Sequence, residues 1–318
     1  MDLTPEIKER LEQLEKKYSE TGQDLVSYMD GLLYQDYLRY WEYINLDVLL
    51  SLQQPRTSFP DEKIFILYHQ ITELYFRLML HAMEQVAKQE ELNAALLKKQ
   101  LRRLISYVDN LINSFEIMID GMEPDEFMKF RMALLPASGF QSGQFRMVET
   151  ASTDFINLVH PQDRAKLSEN SSFEDILEHH YWKKGATELA TGKKTLTLTQ
   201  FEEKYDQTFL QMAKDYKDKN LYAAYRSLSE NERNDEELIE LMRTYDLKMR
   251  VHWPLMHYKS AARYLQKDQE DIKATGGTNW QQYLPPKNQR IIFFPGLWTE
   301  EEIDKWGKKY IEDIMHSS

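Results

Sequence analysis

A histidine between two phenylalanines at helical spacing is the first candidate for chemistry in this chain. Phe65, His69, Thr72 and Phe76 follow one another at i, i+4, i+7 and i+11. On a helix this spacing places all four side chains on one face, where they could hold a flat ligand. A histidine on an apolar stripe is more often a buried core residue, and that interpretation stays open.

A phenylalanine and an arginine share a second helical face. Phe127 and Arg131 stand at i, i+4, directly before a polar turn at residues 136–146 that contains Ser138 and Gly139. A guanidinium binds a carboxylate through two parallel hydrogen bonds, which a lysine cannot reproduce. The turn adds hydroxyl and amide groups on a backbone that proline and glycine constrain. The pattern predicts a carboxylate site, while a solvated arginine beside an ordinary helix connection is the simpler alternative.

Two more histidines lie in an aromatic segment, VHWPLMHY, that begins at Val251. Apolar walls of this kind can shield a porphyrin while His252 or His257 binds its iron. Pro254 should disturb the helix locally, because proline lacks the backbone N–H that a helix needs. Either histidine could also be structural, and the segment alone does not choose between them.

The elements that position these residues are expected to be helices in an all-α fold. The chain has 11 glycines and 10 prolines in 318 residues, so few breakers interrupt it. Thr4 before Pro5 predicts the start of a helix that ends near Gly22, and Thr299 before three glutamates predicts the cap of the final helix. Further helices are predicted at residues 46–53, 61–89, 93–118, 124–134, 143–158, 201–217 and 221–266.

The domain organisation predicted from these patterns is one helical domain over residues 1–318. Residues 1–36 read as a charged helical arm on the surface or swapped with another subunit. Residues 161–199 are mixed and polar, with breakers around Ser168 and Gly192, and they are predicted to form an insertion or lid. No internal repeat interrupts the pattern.

Composition excludes several classes of function. The formal net charge of -12 argues against nucleic acid, whose phosphates need a basic face, and against an anionic membrane surface. The chain has no cysteine, which excludes disulfides, zinc–thiolate sites, cysteine nucleophiles and a thiolate-ligated haem. No stretch is apolar enough for a membrane span and the first residues lack a secretory pattern, so a cytoplasmic location is expected.

Taken in chain order, these segments resemble the tryptophan 2,3-dioxygenase family, whose members are cytoplasmic, all-helical haem enzymes that open the indole ring. The residues between about 161 and 240 and those after 284 carry no motif of the family. The matching segments are YWEYINL from Tyr40, FILYHQ from Phe65, ELYFR from Glu73, Phe130-Arg131, PASGFQSGQFR from Pro136, Trp253, His257, Arg263 and Thr275-Gly276-Gly277.

The resemblance implies a fold, a cofactor and a set of residue roles. A helical bundle would surround haem b, with His257 as the axial iron ligand, because Trp253 and Arg263 stand around it as in the family. His69 would lie beside the indole N–H as the catalytic residue. The other implied contacts are Phe65 and Phe127 with the indole, Arg131 with the carboxylate, Thr275 with the ammonium group, Ser138 and Trp253 with the haem, and Tyr40 and Tyr43 closing the pocket of a neighbouring subunit in a homotetramer.

The implied reaction is the cleavage of the C2–C3 bond of L-tryptophan by O₂ to N-formyl-L-kynurenine, with ferrous haem as the active form. The sequence departs from the family pattern near the substrate. Tyr75 replaces a tryptophan, Ala274 replaces a glycine, and the spacing from His257 to Thr275 is a few residues longer. These departures keep two alternatives open: a related haem-dependent aromatic amino acid hydroxylase or indole oxidase that inserts one oxygen, and a non-enzymatic helical haem-binding protein.

Overall fold

The structure is a computed structural model that describes residues 2–20, 22, 24–134, 141–168, 170–186, 193–267, 270–271 and 285–307. The chain divides into two compact units, Met1–Gln54 and Pro55–Ser318. The single domain predicted over residues 1–318 stays a prediction. Ser138, Ala274 and Thr275 lie outside the described residues.

The first unit is built from helices, and side chains cap the starts of its two longer ones. The hydroxyl of Thr4 accepts a hydrogen bond from the backbone N–H of Ile7, as the sequence predicts for the first helix. Asp24 caps the second helix in the same way, and the rings of Tyr18 and Tyr28 stack with their centres 4.0 Å apart. The helices are α1 Pro5–Ser19, α2 Leu25–Tyr34, α3 Tyr40–Tyr43 and α4 Leu46–Leu49.

The second unit is also helical, which confirms the predicted all-α class. Its only described strands, β1 Gln266–Lys267 and β2 Glu270–Asp271, form one antiparallel pair with Gln266 opposite Asp271. Short 3₁₀ turns lie at Arg131–Leu134, Phe155–Leu158, Arg164–Lys166 and Pro295–Leu297. The helices are α5 Asp61–Ala87, α6 Ala94–Ile119, α7 Pro124–Phe130, α8 Gly143–Ser152, α9 Phe173–Glu178, α10 Tyr181–Gly185, α11 Leu196–Tyr216, α12 Leu221–Ser227, α13 Glu230–Arg233, α14 Glu236–Leu247, α15 Trp253–Leu265, α16 Pro286–Gln289 and α17 Glu300–Asp304.

The stretch over residues 221–266 is largely helical, as predicted, but it is divided into several helices. Two N-caps divide that stretch: Ser229 forms a capping box with Glu232, and Asp235 accepts a hydrogen bond from the N–H of Leu238 at 3.0 Å. In a continuous helix, the backbone N–H groups at these positions would donate to carbonyls one turn earlier. A capping side chain accepts their hydrogen bonds instead, so one helix ends and another begins at each cap. The predicted cap at Thr299 is confirmed, with a capping box to Glu302.

The core forms where α6 packs against α5, α14 and α15, while α8 packs on α5. On α6 the residues Leu97, Leu101, Leu104, Val108 and Leu111 repeat every three or four positions, and all are fully buried. Each such side chain contributes about 1.5–3 kcal/mol relative to an exposed one. This packing fixes α5 and α15, the two helices that carry the candidate histidines.

A π-helical turn at Lys248–His252 joins α14 to α15. The backbone N–H of Trp253 donates to the carbonyl of Lys248, five residues earlier, and Pro254 follows directly. Proline donates no hydrogen bond and its ring would clash with the carbonyl four residues before it, so a wider turn at this point relieves both problems. The disturbance predicted at Pro254 is therefore confirmed, and it takes the form of one wide turn just ahead of His257.

Within the described part of the chain, every helix is too short or too polar to cross a membrane. The cytoplasmic location stays a prediction. The predicted insertion at residues 161–199 contains α9, α10 and the first turn of α11, and Tyr181 and Trp182 of α10 are buried in the main core. Its role as a lid is untested.

Candidate active site

The imidazole of His69 is held by its own helix. Its Nδ1 lies 2.7 Å from the backbone carbonyl oxygen of Phe65, one turn earlier on α5. A carbonyl oxygen can only accept, so Nδ1 carries the proton and Nε2 keeps its lone pair. Burial lowers the pKa of His69, which favours the neutral ring. His69 therefore presents a hydrogen-bond acceptor at its outer edge.

Aromatic ring contacts link His69 to His257. The ring of Tyr68 lies 5.5 Å from that of His69 and 5.7 Å from that of Phe115, and Phe115 lies 6.0 Å from His257. Burial lowers the pKa of His257 to about 4, and the positive charge that His69 would carry acts in the same direction. The two imidazoles, one on α5 and one on α15, therefore belong to the same aromatic region.

Several aromatic rings pack next to His69. The ring of Phe65 lies 4.0 Å from His69 and 6.2 Å from Phe127, measured between centres. Phe130 packs edge-on against Phe65 at 5.9 Å, and Tyr264 of α15 lies 4.7 Å from Phe127. Three helices, α5, α7 and α15, thus contribute to one cluster of aromatic rings beside His69.

A second aromatic group surrounds His257. Trp253 precedes it by one turn on α15 and is buried, and Phe115 of α6 lies 4.6 Å from Trp253 and 6.0 Å from His257. Phe115 was not predicted as a site residue. Its position on α6 continues the apolar stripe through Leu111, so the sequence pattern marks it only as core.

The structure separates the two candidate iron ligands. His252 lies in the π-helical turn near the ion pair between Lys248 and Asp109, and burial and Lys248 lower its pKa while Asp109 opposes that effect. The pKa of His257 is instead lowered by burial and by His69. Of the two histidines, His257 is the one that lies beside an aromatic ring of the site, that of Phe115.

Arg131 directly follows Phe130, one of these aromatic residues. It begins the 3₁₀ turn after α7 and is 6% exposed. Its Nη1 contacts the sulfur of Met128 at 3.7 Å. Burial lowers the pKa of the guanidinium, which still remains protonated at any physiological pH. A buried cation at the edge of an apolar pocket is suited to an anionic ligand group.

Six of the predicted site residues lie in the second unit, and ring contacts through Tyr68 and Phe115 connect all of them except Arg131. Tyr40 and Tyr43 belong to the first unit, where they are 71% and 74% exposed. Ser138 and Thr275 lie outside the described residues, so their predicted roles cannot be placed. The six are Phe65, His69, Phe127, Arg131, Trp253 and His257.

The chain is similar to known proteins over most of its length. The family described as tryptophan 2,3-dioxygenase matches residues 19–273. Three similar proteins are each named tryptophan 2,3-dioxygenase. The one from Ruegeria sp. (strain TM1040) is 26% identical over 84% of this chain and 92% of its own length. The one from Geobacillus thermodenitrificans (strain NG80-2) is 29% identical over the same shares. The one from Bacillus thuringiensis (strain Al Hakam) is 39% identical over 37% of this chain and 42% of its own. The chain belongs to the tryptophan 2,3-dioxygenase family.

Proposed function

We propose that this protein is a haem-dependent dioxygenase that cleaves the indole C2–C3 bond of L-tryptophan with O₂ and forms N-formyl-L-kynurenine. The observation that carries the proposal is the pair of histidines, His69 and His257, which lie on two different helices and are connected by the ring contacts of Tyr68 and Phe115. Membership of the family supports the same reaction. Both atoms of O₂ enter the product, so the reaction balances without an external reductant.

The residues around His257 fit a haem b. The depressed pKa of His257, about 4, keeps its imidazole neutral, which is the form that binds iron. Phe115 and Trp253 supply an apolar surface next to it, and Ser138 is proposed as a further contact. When bound, the haem supplies a ferrous iron that activates O₂.

The remaining residues orient the amino acid. Phe65 and Phe127 would contact the indole ring, and Nε2 of His69 would accept the indole N–H. That N–H is a very weak acid, so His69 positions the ring and is not required to remove its proton. Arg131 would bind the carboxylate, Thr275 the ammonium group. Holding both ends of a substrate can lower a barrier by several kcal/mol when the geometry is right.

Labelled oxygen tests the reaction directly. The reduced, haem-loaded protein is incubated with L-tryptophan and ¹⁸O₂, and the product is examined by mass spectrometry. A ring-opened product with two labelled atoms is expected. One labelled atom, or reaction only with another aromatic amino acid, would instead identify a mono-oxygenase. No product and no change in the Soret band on adding aromatic amino acids would indicate a haem-binding protein without this activity.

We also propose that the protein forms a homotetramer in which the first unit contacts a neighbouring subunit. Its apolar residues are unusually exposed: Leu32 and Leu33 of α2 are 72% and 73% accessible, and Tyr40 and Tyr43 are as open. Monomeric proteins rarely expose apolar patches of this extent. A neighbouring subunit would cover them, and Tyr40 and Tyr43 would then close its pocket.

Replacing Leu33 with glutamate is expected to weaken this assembly, because a charge would have to be buried in an apolar contact. Four chains of 38.0 kDa give a tetramer of about 152 kDa, which sedimentation velocity distinguishes from smaller species. Leu33→Glu should shift the protein toward those species and raise the KM for tryptophan. Leu196→Glu is the control, since Leu196 is 67% exposed in the second unit. A wild-type monomer, or equal effects of both substitutions, would contradict the proposal.

A further inference from the structure

Four buried polar side chains form a connected charge cluster outside the candidate active site. Arg146 Nη1 donates to Glu149 Oε2 at 2.6 Å, and Arg250 Nη1 donates to Glu149 Oε1. The hydroxyl of Tyr181 donates to Glu149 Oε1 at 2.6 Å and accepts from Arg146 and Arg250 at 2.8 and 3.2 Å. We call Arg146, Glu149, Tyr181 and Arg250 the charge cluster.

The charge cluster is buried and carries more positive than negative charge. Glu149 and Arg250 are each 1% exposed, and one carboxylate faces two guanidinium groups. The Nε atoms of Arg146 and Arg250 have no hydrogen-bond partner among the residues that the structure describes. Desolvating these charges costs free energy that the mutual attraction recovers only when the geometry is close to ideal. Such a cluster is therefore a weak source of stability, but it tolerates few alternative arrangements of the elements that carry it.

Those elements meet at the approach to His257. Arg250 lies inside the π-helical turn that leads into α15, and Arg146 and Glu149 lie on α8. Tyr181 lies on α10, within the segment predicted as an insertion. Arg250 also donates through Nη2 to the side chain of Gln289 at 2.9 Å. The π-helical turn is thus attached by side-chain hydrogen bonds to three other parts of the fold.

We propose that the charge cluster fixes the π-helical turn and thereby the position of His257, and that Tyr181 is a positioning residue for the iron ligand. Tyr181 bonds to all three other members, as Glu149 does, since its hydroxyl meets both guanidinium groups and the carboxylate. Through Tyr181, the predicted insertion at residues 161–199 would then help to hold the proposed iron ligand in place. This inference rests on the proposed role of His257.

Tyr181→Phe removes the shared hydroxyl and keeps the ring, so it tests the inference with little change in packing. Haem should transfer to excess apomyoglobin about tenfold faster, because hydrogen bonds that hold the turn are lost. The Fe–His stretching band in the resonance Raman spectrum of the ferrous protein should shift or broaden. The kcat should fall more than the KM for tryptophan rises.

Tyr225→Phe is the matched control. The hydroxyl of Tyr225 donates to the backbone carbonyl of Arg233 at 2.9 Å, away from the π-helical turn. This variant should leave the haem transfer rate and the Fe–His band unchanged. Equal behaviour of the two variants, or an unchanged Fe–His band in Tyr181→Phe, would overturn the inference.

Glu149→Gln provides a second variant with a larger expected effect, because two buried guanidinium groups would lose their counter-charge. If it does not fold, Tyr181→Phe still decides the question. His257→Ala tests the proposed iron ligand separately from the charge cluster. If His257→Ala retains haem, His257 is not the iron ligand. If His257→Ala loses haem while Tyr181→Phe behaves like the wild type, only the role of the charge cluster is refuted.

Discussion

Replacing His257 with alanine is expected to abolish stable haem binding, whereas His252→Ala should retain it. The reason is structural: His257 packs beside Phe115, whose ring contacts continue through Tyr68 to His69, while His252 lies near the ion pair of Lys248 and Asp109. The measurement is the ratio of Soret to protein absorbance after gel filtration, with haem content from the pyridine haemochromogen. His69→Ala should also keep its haem, since that residue is proposed to contact the substrate.

A cavity variant adds a positive test of the same assignment. In His257→Gly, added imidazole should enter the space left by the side chain and restore haem binding, because it supplies the missing nitrogen ligand. Haem loss in His252→Ala with retention in His257→Ala would reverse the assignment of the ligand. Retention in both variants would mean that another residue binds the iron.

Replacing Arg131 with alanine is expected to weaken L-tryptophan binding by about two orders of magnitude, the effect of losing about 3 kcal/mol of charge-assisted hydrogen bonding. Tryptamine lacks the carboxylate, so its affinity should change little. Both dissociation constants can be measured from the Soret shift of the haem-loaded protein. Lys129→Ala is the control, because Lys129 lies on α7 but pairs with Glu126 at the surface.

The comparison between the two ligands decides what a weaker affinity means. If Arg131→Ala weakens tryptamine and tryptophan equally, the pocket has collapsed around the missing side chain. If neither changes, the carboxylate binds elsewhere. Only a loss confined to tryptophan supports the assignment of Arg131.

The sequence was sufficient to locate the long helices that carry the site. The helix predicted over residues 61–89 is observed as α5, Asp61–Ala87, because its start and its apolar period are both local features. The i, i+4 relation of Phe65 and His69 is local in the same way, and their rings do lie together. By contrast, the caps at Ser229 and Asp235 divide a stretch whose apolar spacing looks continuous.

Contacts between distant segments could not be derived from periodicity. The approach of Phe127 to Phe65 was expected from the family resemblance alone, and the place of Phe115 beside His257 was not expected. The charge cluster is a sharper case. Glu149 meets Arg250 across 101 positions of sequence, and charged residues at such positions are indistinguishable from solvated ones until the fold is known.

The π-helical turn also affects which sequence changes this family member can accept. A wide turn holds one residue more than the α-helical turn it replaces, and each residue of an α-helix advances the face by about 100°. Deleting one residue from Lys248–His252 would let the wide turn become an ordinary α-helical turn, with α15 and His257 kept close to their present orientation relative to α14. The same deletion within α14 would instead rotate every later residue by about 100° and carry His257 away from Phe115. The π-helical turn is therefore the place before His257 where the loss of one residue changes the direction of that side chain least.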